Sequence, residues 1–178
     1  MRSLTRGWPR RVLGAFLVAT LFPLSVAASG SAAAADDWVN VTSNLANVPS
    51  ECGNLTILSA MPRSNTLIAG VAQQGLWTST DAGASWQRLG TGEGSARIIN
   101  RPSWISFDPA QPARFYESGI YNDGGAYATS DGGTTFAQLG TVSHNDFVSV
   151  DYTDPARKTL LAGGHEQAQM VWKSTDSG

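Results

Sequence analysis

Two histidines occur in the chain, and each stands beside carboxylates, in His144-Asn145-Asp146 and His165-Glu166-Gln167. An imidazole within reach of a carboxylate can pass a proton. Two such pairs together also hold the donor types of a two-histidine, two-carboxylate metal site. A third polar string, Tyr121-Asn122-Asp123, adds a phenol, an amide and another acid, and Glu93, Arg97 and Arg101 lie upstream of it. Each cluster has a plainer reading too. His144 and Asp146 can bond the loop backbone, and His165 can cap the loop after Gly163-Gly164. No tight ligand spacing such as H-E-x-x-H is present, so neither a metal nor another cofactor is expected. The candidate catalytic residues are therefore His144, Asp146, His165 and Glu166. The candidate binding residues are Tyr121, Asn122, Asp123, His144 and His165.

Those residues must be positioned by repeated units, because the sequence matches itself. Ser79-Thr80-Asp81-Ala82-Gly83-Ala84-Ser85-Trp86 corresponds to Thr129-Ser130-Asp131-Gly132-Gly133-Thr134-Thr135-Phe136, and Ser174-Thr175-Asp176-Ser177-Gly178 begins a third copy. The flanks keep register: Trp77, Tyr127 and Trp172 stand four residues before each aspartate, and Leu89-Gly90 and Leu139-Gly140 follow the first two copies. Upstream lie Ala69-Gly70, Ser118-Gly119 and Ala162-Gly163, then Pro62, Asp108-Pro109 and Asp154-Pro155. Each unit reads as four short strands with turn residues between them; in the second these are about 104–107, 114–118, 125–129 and 135–139. Four-stranded units of this period predict an all-β fold of β-propeller blades. In the turn, an Asp side chain can accept bonds from backbone N–H groups one or two residues on, and Gly83 and Gly133 supply positive φ. Trp77, Tyr127, Trp172, Trp86 and Phe136 are expected in the core between blades.

With these residues the chain resembles the Asp-box (BNR) repeat propellers, whose pattern is S/T-x-D-x-G-x-x-W/F. That group includes sialidases, xyloglucan-degrading glycoside hydrolases, sortilin-type receptors and a photosystem assembly factor. The resemblance covers about residues 36–178. It implies that Ser79, Asp81, Gly83, Trp86, Thr129, Asp131, Gly133, Phe136, Ser174, Asp176 and Gly178 are structural, on the face opposite the known sites. It also implies a glycoside-hydrolase or sialidase-like superfamily. The sequence departs from the sialidase pattern, since the nearest string to Arg-Ile-Pro, Arg97-Ile98-Ile99-Asn100-Arg101-Pro102, follows the first box instead of preceding it. The catalytic Asp in a Gly-rich aromatic context, usual early in xyloglucanase-type chains, is also not found.

The blades expected are 57–90, 104–140 and a partial blade 148–178. Trp38-Val39-Asn40-Val41 compares with Trp86-Gln87-Arg88-Leu89 and is expected to be the closing strand of a further blade. Four to eight blades make a ring, so an incomplete ring of about three blades is expected, needing the remainder of its own propeller. Alone, the chain is expected to be aggregation-prone or partly unfolded. Alternation of loops puts the strand two–three loops and the loops into each blade on one face, where function in this architecture usually resides.

Composition agrees. The 178 residues are 42% apolar and 15% charged, which excludes disorder and coiled coil. Arg2, Arg6, Arg10 and Arg11, the apolar run 12–28 and Ala33-Ala34-Ala35 read as a signal peptide over 1–35. Without it, eight basic residues face fourteen acidic ones, so no nucleic-acid partner is expected, nor a membrane one. Cys52 is the single cysteine, a free thiol or half of a disulfide. The expectation is a secreted or periplasmic propeller that acts on or binds extracellular glycans. A protein- or glycan-recognition propeller and a structural repeat module are the alternatives.

Overall fold

The computed structural model describes residues 38–51, 55–122 and 124–178. The expected signal peptide, Cys52 and Asp123 lie outside the described residues. Among the described residues eleven strands form three antiparallel sheets, each paired in chain order. The first holds β1 (Leu55–Ala60), β2 (Leu67–Val71), β3 (Gly75–Ser79) and β4 (Gln87–Arg88). The middle sheet holds β5 (Arg101–Phe107), β6 (Phe115–Ile120), β7 (Ala126–Thr129) and β8 (Ala137–Leu139). The third holds β9 (Asn145–Val150), β10 (Leu160–Gly164) and β11 (Val171–Ser174). These are propeller blades in an open, incomplete arrangement, as the repeat predicted. β5 packs against β1, β2 and β3, and β9 against β5 and β6, so the first strand of each sheet faces the preceding blade.

The repeated turn is a hydrogen-bonded cage. Ser79 Oγ donates to Asp81 Oδ1 at 2.8 Å and accepts from the Gly83 N–H at 2.9 Å. Asp81 in turn accepts from the Ser85 N–H and Ser85 Oγ. Thr129 and Asp131 repeat this with Gly133, Thr134 and Thr135, and Ser174 donates to Asp176 and accepts from Gly178. The carboxylate therefore reaches backbone three and four residues on, not the one or two expected, because it spans the whole turn instead of an Asx turn. These bonds hold the Asp81 and Asp131 carboxyls down to about 2. Gly83 and Gly133 have φ of 91° and 92°.

The same glycines join the blades. A Cβ on Gly133 would stand 2.8 Å from Leu89 Cδ2 of the first blade, and one on Gly178 2.7 Å from Leu139 Cβ of the middle blade. A Cβ on Gly83 would likewise meet Val41 Cγ2 at 2.9 Å. Val41 thus takes the place of Leu89 and Leu139 one blade earlier, yet residues 38–41 form no strand. Trp38 is exposed, and the Val41 carbonyl accepts from Trp86 Nε1 instead of a ladder partner.

Two cores fill the seams. Ile68, Leu76, Ile98, Ile105, Phe115, Tyr127 and Phe136 lie between the first and middle blades. Tyr116, Ala126, Leu139, Val148, Val150 and Leu160 lie between the middle and third. Trp86, Tyr127 and Phe136 are buried as expected and Trp77 is half-buried; Trp172 faces the middle blade beside Ala162 and Val148, as expected, but borders an unfilled cavity there and is 41% exposed. On the opposite face of the third sheet Val171, Leu161 and Phe147 are exposed. An apolar sheet face of this kind favours association. Sedimentation equilibrium is expected to show concentration-dependent oligomers, and Val171→Ser with Leu161→Ser to shift them toward monomer; a monodisperse monomer in the parent chain would contradict this.

Asp108 closes the second seam on the turn face. Its carboxylate is fully enclosed and accepts from Arg157 Nε at 2.9 Å and from its Nη2 at 3.1 Å. Ser106 Oγ and the Tyr152 hydroxyl, 2.7 Å apart, bridge the same two sheets. The Arg157 hydrogen bonds lead the backbone ones in holding the Asp108 carboxyl down to about 2. That stability is fully present above the ordinary aspartate range and is lost as pH falls toward 2. Asp108→Ala should cost about 3 kcal/mol by leaving Arg157 without its partner, and should flatten the acid limb of the stability curve. Urea unfolding across acid pH checks both.

Candidate functional site

The face opposite the turns carries a cluster drawn from the middle and third blades. Tyr121 follows β6, His165 follows β10, and Asp146 lies in β9. β9 pairs with β10 through Phe147↔Gly163 and then Asn145↔Gly164, so Asp146 is the extra residue of a bulge. A bulge re-aims the side chain it carries. Here the carboxylate meets the imidazole: His165 Nδ1 is 2.9 Å from Asp146 Oδ1, and His165 Nε2 is 3.2 Å from the Tyr121 hydroxyl. The carboxylate accepts, so Nδ1 carries the proton and Nε2 accepts from the phenol. The bulge also rests on Ser103, whose Oγ donates to the Asp146 carbonyl at 2.8 Å.

Tyr121 is enclosed edge-on by both imidazoles, with His165 and His144 centroids at 5.3 and 5.4 Å. The Arg101 guanidinium lies 5.6 Å over its ring. Tyr121, Asn122, His144 and Glu166 all have φ between 50° and 57°. Four non-glycine residues in the left-handed region, two of them with aromatic rings, mark a strained loop face.

The sequence placed both histidines on one face, and the structure brings them together, but the pairing differs from the adjacent one. Asp146 bonds His165, nineteen positions away, and sits in a strand instead of the loop into the third blade. Glu166 is farther, 3.8 Å from His165 Nε2 and largely exposed. Asn122 Oδ1 accepts from Gln73 Nε2 at 3.5 Å. Of the three residues expected before the middle blade, Arg101 joins the cluster. Arg97 donates to Gln138 Oε1, and Glu93 gives its carbonyl to the Phe136 N–H beside the second turn. That loop doubles back along the turn instead of staying on one face. Among the described residues no three His, Cys, Asp or Glu converge on a common metal position.

Glu117 was not singled out by the sequence. Ladder pairing makes Leu67, Phe115 and Leu160 equivalent, since they face Ser79, Thr129 and Ser174. Counting from there, Glu117 matches Ala69 and Ala162, and Ser118, not Gly119, matches Gly70 and Gly163. Glu117 is fully buried in the seam with the first blade, where Asn100 Nδ2 donates to both carboxylate oxygens at 3.1 and 3.4 Å. Asn100 immediately precedes Arg101 over Tyr121, and a Cβ on Gly119 would collide with the Asn100 amide. Burial pushes the Glu117 carboxyl up to about 8 against the opposing pull of Asn100. The folded form therefore holds a proton that the unfolded chain releases near 4.5. Its stabilisation is complete below that point and is lost as pH rises through about 8, by a few kcal/mol. Melting points should decline between these limits, and Glu117→Gln should remove the decline; an unchanged slope in that variant would assign it to other groups.

No family model matches the chain, and no curated protein matches it. Among solved structures it is similar to an ancestral GH74 enzyme, with TM-score 0.51 and 14% identity over 70% of this chain and 17% of that one. The GH74 enzyme of Niastella koreensis gives TM-score 0.47 at 22% identity, covering 65% of this chain and 19% of that one. The GH74 xyloglucanase from Xanthomonas campestris gives 0.44 at 20%, covering 66% and 20%. The chain thus spans about a fifth or less of the length of these enzymes. At such identities the likeness is one of fold, and it agrees with the propeller blades.

Proposed function

We propose that the chain supplies three blades of an exported Asp-box repeat propeller that acts on extracellular glycans through its loop face. The observation that carries this reading is the Asp146–His165–Tyr121 chain, assembled across a blade seam on the face opposite the turns. A rigid scaffold that presents strained polar loops is where binding and catalysis concentrate. The basic, then apolar leader supports export, and the S/T-x-D-x-G turns support the Asp-box assignment.

A cavity of about 220 Å³ lies between the middle and third sheets, lined by Leu139, Val148, Leu160, Ala162 and Trp172. In the preceding seam Phe136 fills the corresponding place against Phe115 and Ile98.

The test is titration of the full chain with neutral and acidic oligosaccharides, followed by amide NMR shifts, alongside fluorogenic glycosides for turnover. Shifts confined to residues around Tyr121, His144 and His165, and binding weakened about tenfold by Tyr121→Ala, are expected. Binding without turnover would make the site one of recognition. No response to any sugar, or shifts on the turn face, would overturn the reading.

A further inference from the structure

We infer that two copies of this chain, three sheets each, close head to tail into one ring of six blades, residues 38–41 of each copy becoming the fourth strand of the other's third sheet. The inference rests on the propeller fold and goes beyond the glycan reading. Trp38-Val39-Asn40-Val41 corresponds to Trp86-Gln87-Arg88-Leu89 and to Phe136-Ala137-Gln138-Leu139, and Val41 packs at Gly83 as Leu89 packs at Gly133. The segment thus holds the place of a fourth strand whose blade precedes the first. Among the described residues, however, no strand pairs with it.

The third sheet offers the complementary edge. Among the described residues it has three strands where the other two sheets have four, and β11 is its edge. In the first sheet Trp77 pairs with Arg88 and Thr78 with Gln87, and the Leu89 N–H donates to the Leu76 carbonyl at 2.8 Å. Trp172 stands in β11 where Trp77 stands in β3, two residues before the turn serine. The same register sets Asn40 of a second copy opposite Trp172, Val39 opposite Lys173 and Val41 opposite Val171. The Val41 carbonyl stays on the Trp86 indole, because this ladder uses the Val41 N–H.

Register also delivers Trp38 to the cavity between the middle and third sheets. Trp38 matches Phe136, which fills the first seam, and it is 92% exposed in the single chain. An apolar cavity of about 150 Å³ admits a benzene ring. At about 220 Å³, walled by Leu139, Val148, Leu160 and Trp172, this one admits an indole.

The two outer faces match as well. Leu161 holds the ladder position of Ile68 and Tyr116, and Leu58 that of Ile105 and Val148. Ile68 and Ile105 are buried together in the first seam, and Tyr116 and Val148 in the second, whereas Leu161 and Leu58 are 40% and 57% exposed. Each outer face therefore presents one half of a seam that the chain already makes twice. At the Leu58 face a groove of about 540 Å³ opens, lined by Leu45, Val48, Val71 and Trp86. A contact between two different surfaces either closes or propagates. Six blades fall within the four to eight that close a ring.

Sedimentation velocity of the full chain tests the assembly, and Trp38→Ala tests the donated side chain. Circular dichroism reports whether that variant keeps its fold. A discrete dimer is expected in the parent, with its dissociation constant raised at least about tenfold by Trp38→Ala. In a second measurement, Val39→Cys and Lys173→Cys chains, each also carrying Cys52→Ser, are mixed and oxidised. Directly opposed ladder positions lie within disulfide reach, so a covalent heterodimer is expected, whereas Val39→Cys mixed with Ser130→Cys should give none. If Trp38→Ala unfolds, the disulfide decides. A monomer at every concentration, assembly that continues past the dimer, a dimer that folded Trp38→Ala leaves intact, or equal crosslinking at positions 173 and 130 overturns the inference. None of these readouts uses a sugar, so the glycan reading stands or falls separately.

Discussion

Everything in this architecture depends on how one blade sits on the turn of the next. The turn glycine has no Cβ, and a branched aliphatic side chain of the preceding blade fills the space: Leu89 on Gly133, Leu139 on Gly178, Val41 on Gly83. The hydroxyl–carboxylate cage makes each turn rigid enough to be a packing surface. It satisfies the backbone N–H groups internally, so the turn can be covered without leaving donors unpaired. One residue pattern thus closes a hairpin and sets the spacing between blades. With the turns committed to holding blades together, chemistry is left to the opposite face.

That dual role explains what was legible in the sequence. Ser79, Asp81 and Gly83 recur because the cage needs a hydroxyl, a carboxylate and a positive φ at fixed offsets, and no other residue types substitute freely. The strands between them tolerate variation, so their limits were read less well; β5, for instance, begins at Arg101 instead of residue 104. The expected strand at 38–41 followed a valid comparison with Leu89. A strand, however, needs a ladder partner as well as a suitable sequence, and the Val41 carbonyl bonds the Trp86 indole instead. Trp172 faces the middle blade as its offset implies, but offset says nothing about how completely the seam around it is filled.

The candidate site was legible only as a neighbourhood. Both histidines could be put on one face by counting strands, but the partner of His165 could not, because a bulge at Asp146 shifts the register by one. Glu117 escaped for a related reason. Alignment on glycines pairs Gly119 with Gly70, whereas the ladder pairs Ser118 with it, and that single step conceals a glutamate standing where both other blades carry alanine. A comparison anchored on the turn hydroxyls, counting backward through the strands, would have exposed it.

The buried glutamate and the surface relay are physically linked, which bears on why a charged residue type sits in a seam at all. Glu117 fixes the Asn100 amide, Asn100 leads directly into β5, and the first residue of β5 is the arginine over Tyr121. From the other side, Ser103 in β5 holds the backbone of the Asp146 bulge. The start of β5 therefore positions both the charge above the phenol and the strand that carries the carboxylate. Alanine at position 117 would fill less of the seam and leave Asn100 without its acceptor, and the loop into β5 would lose its anchor. A neutral, hydrogen-bonded glutamate keeps the seam dry and gives that loop one orientation. In this reading stability and chemistry meet at a single strand end. The middle blade carries the polar exception to an apolar repeat because it is the blade that delivers Tyr121.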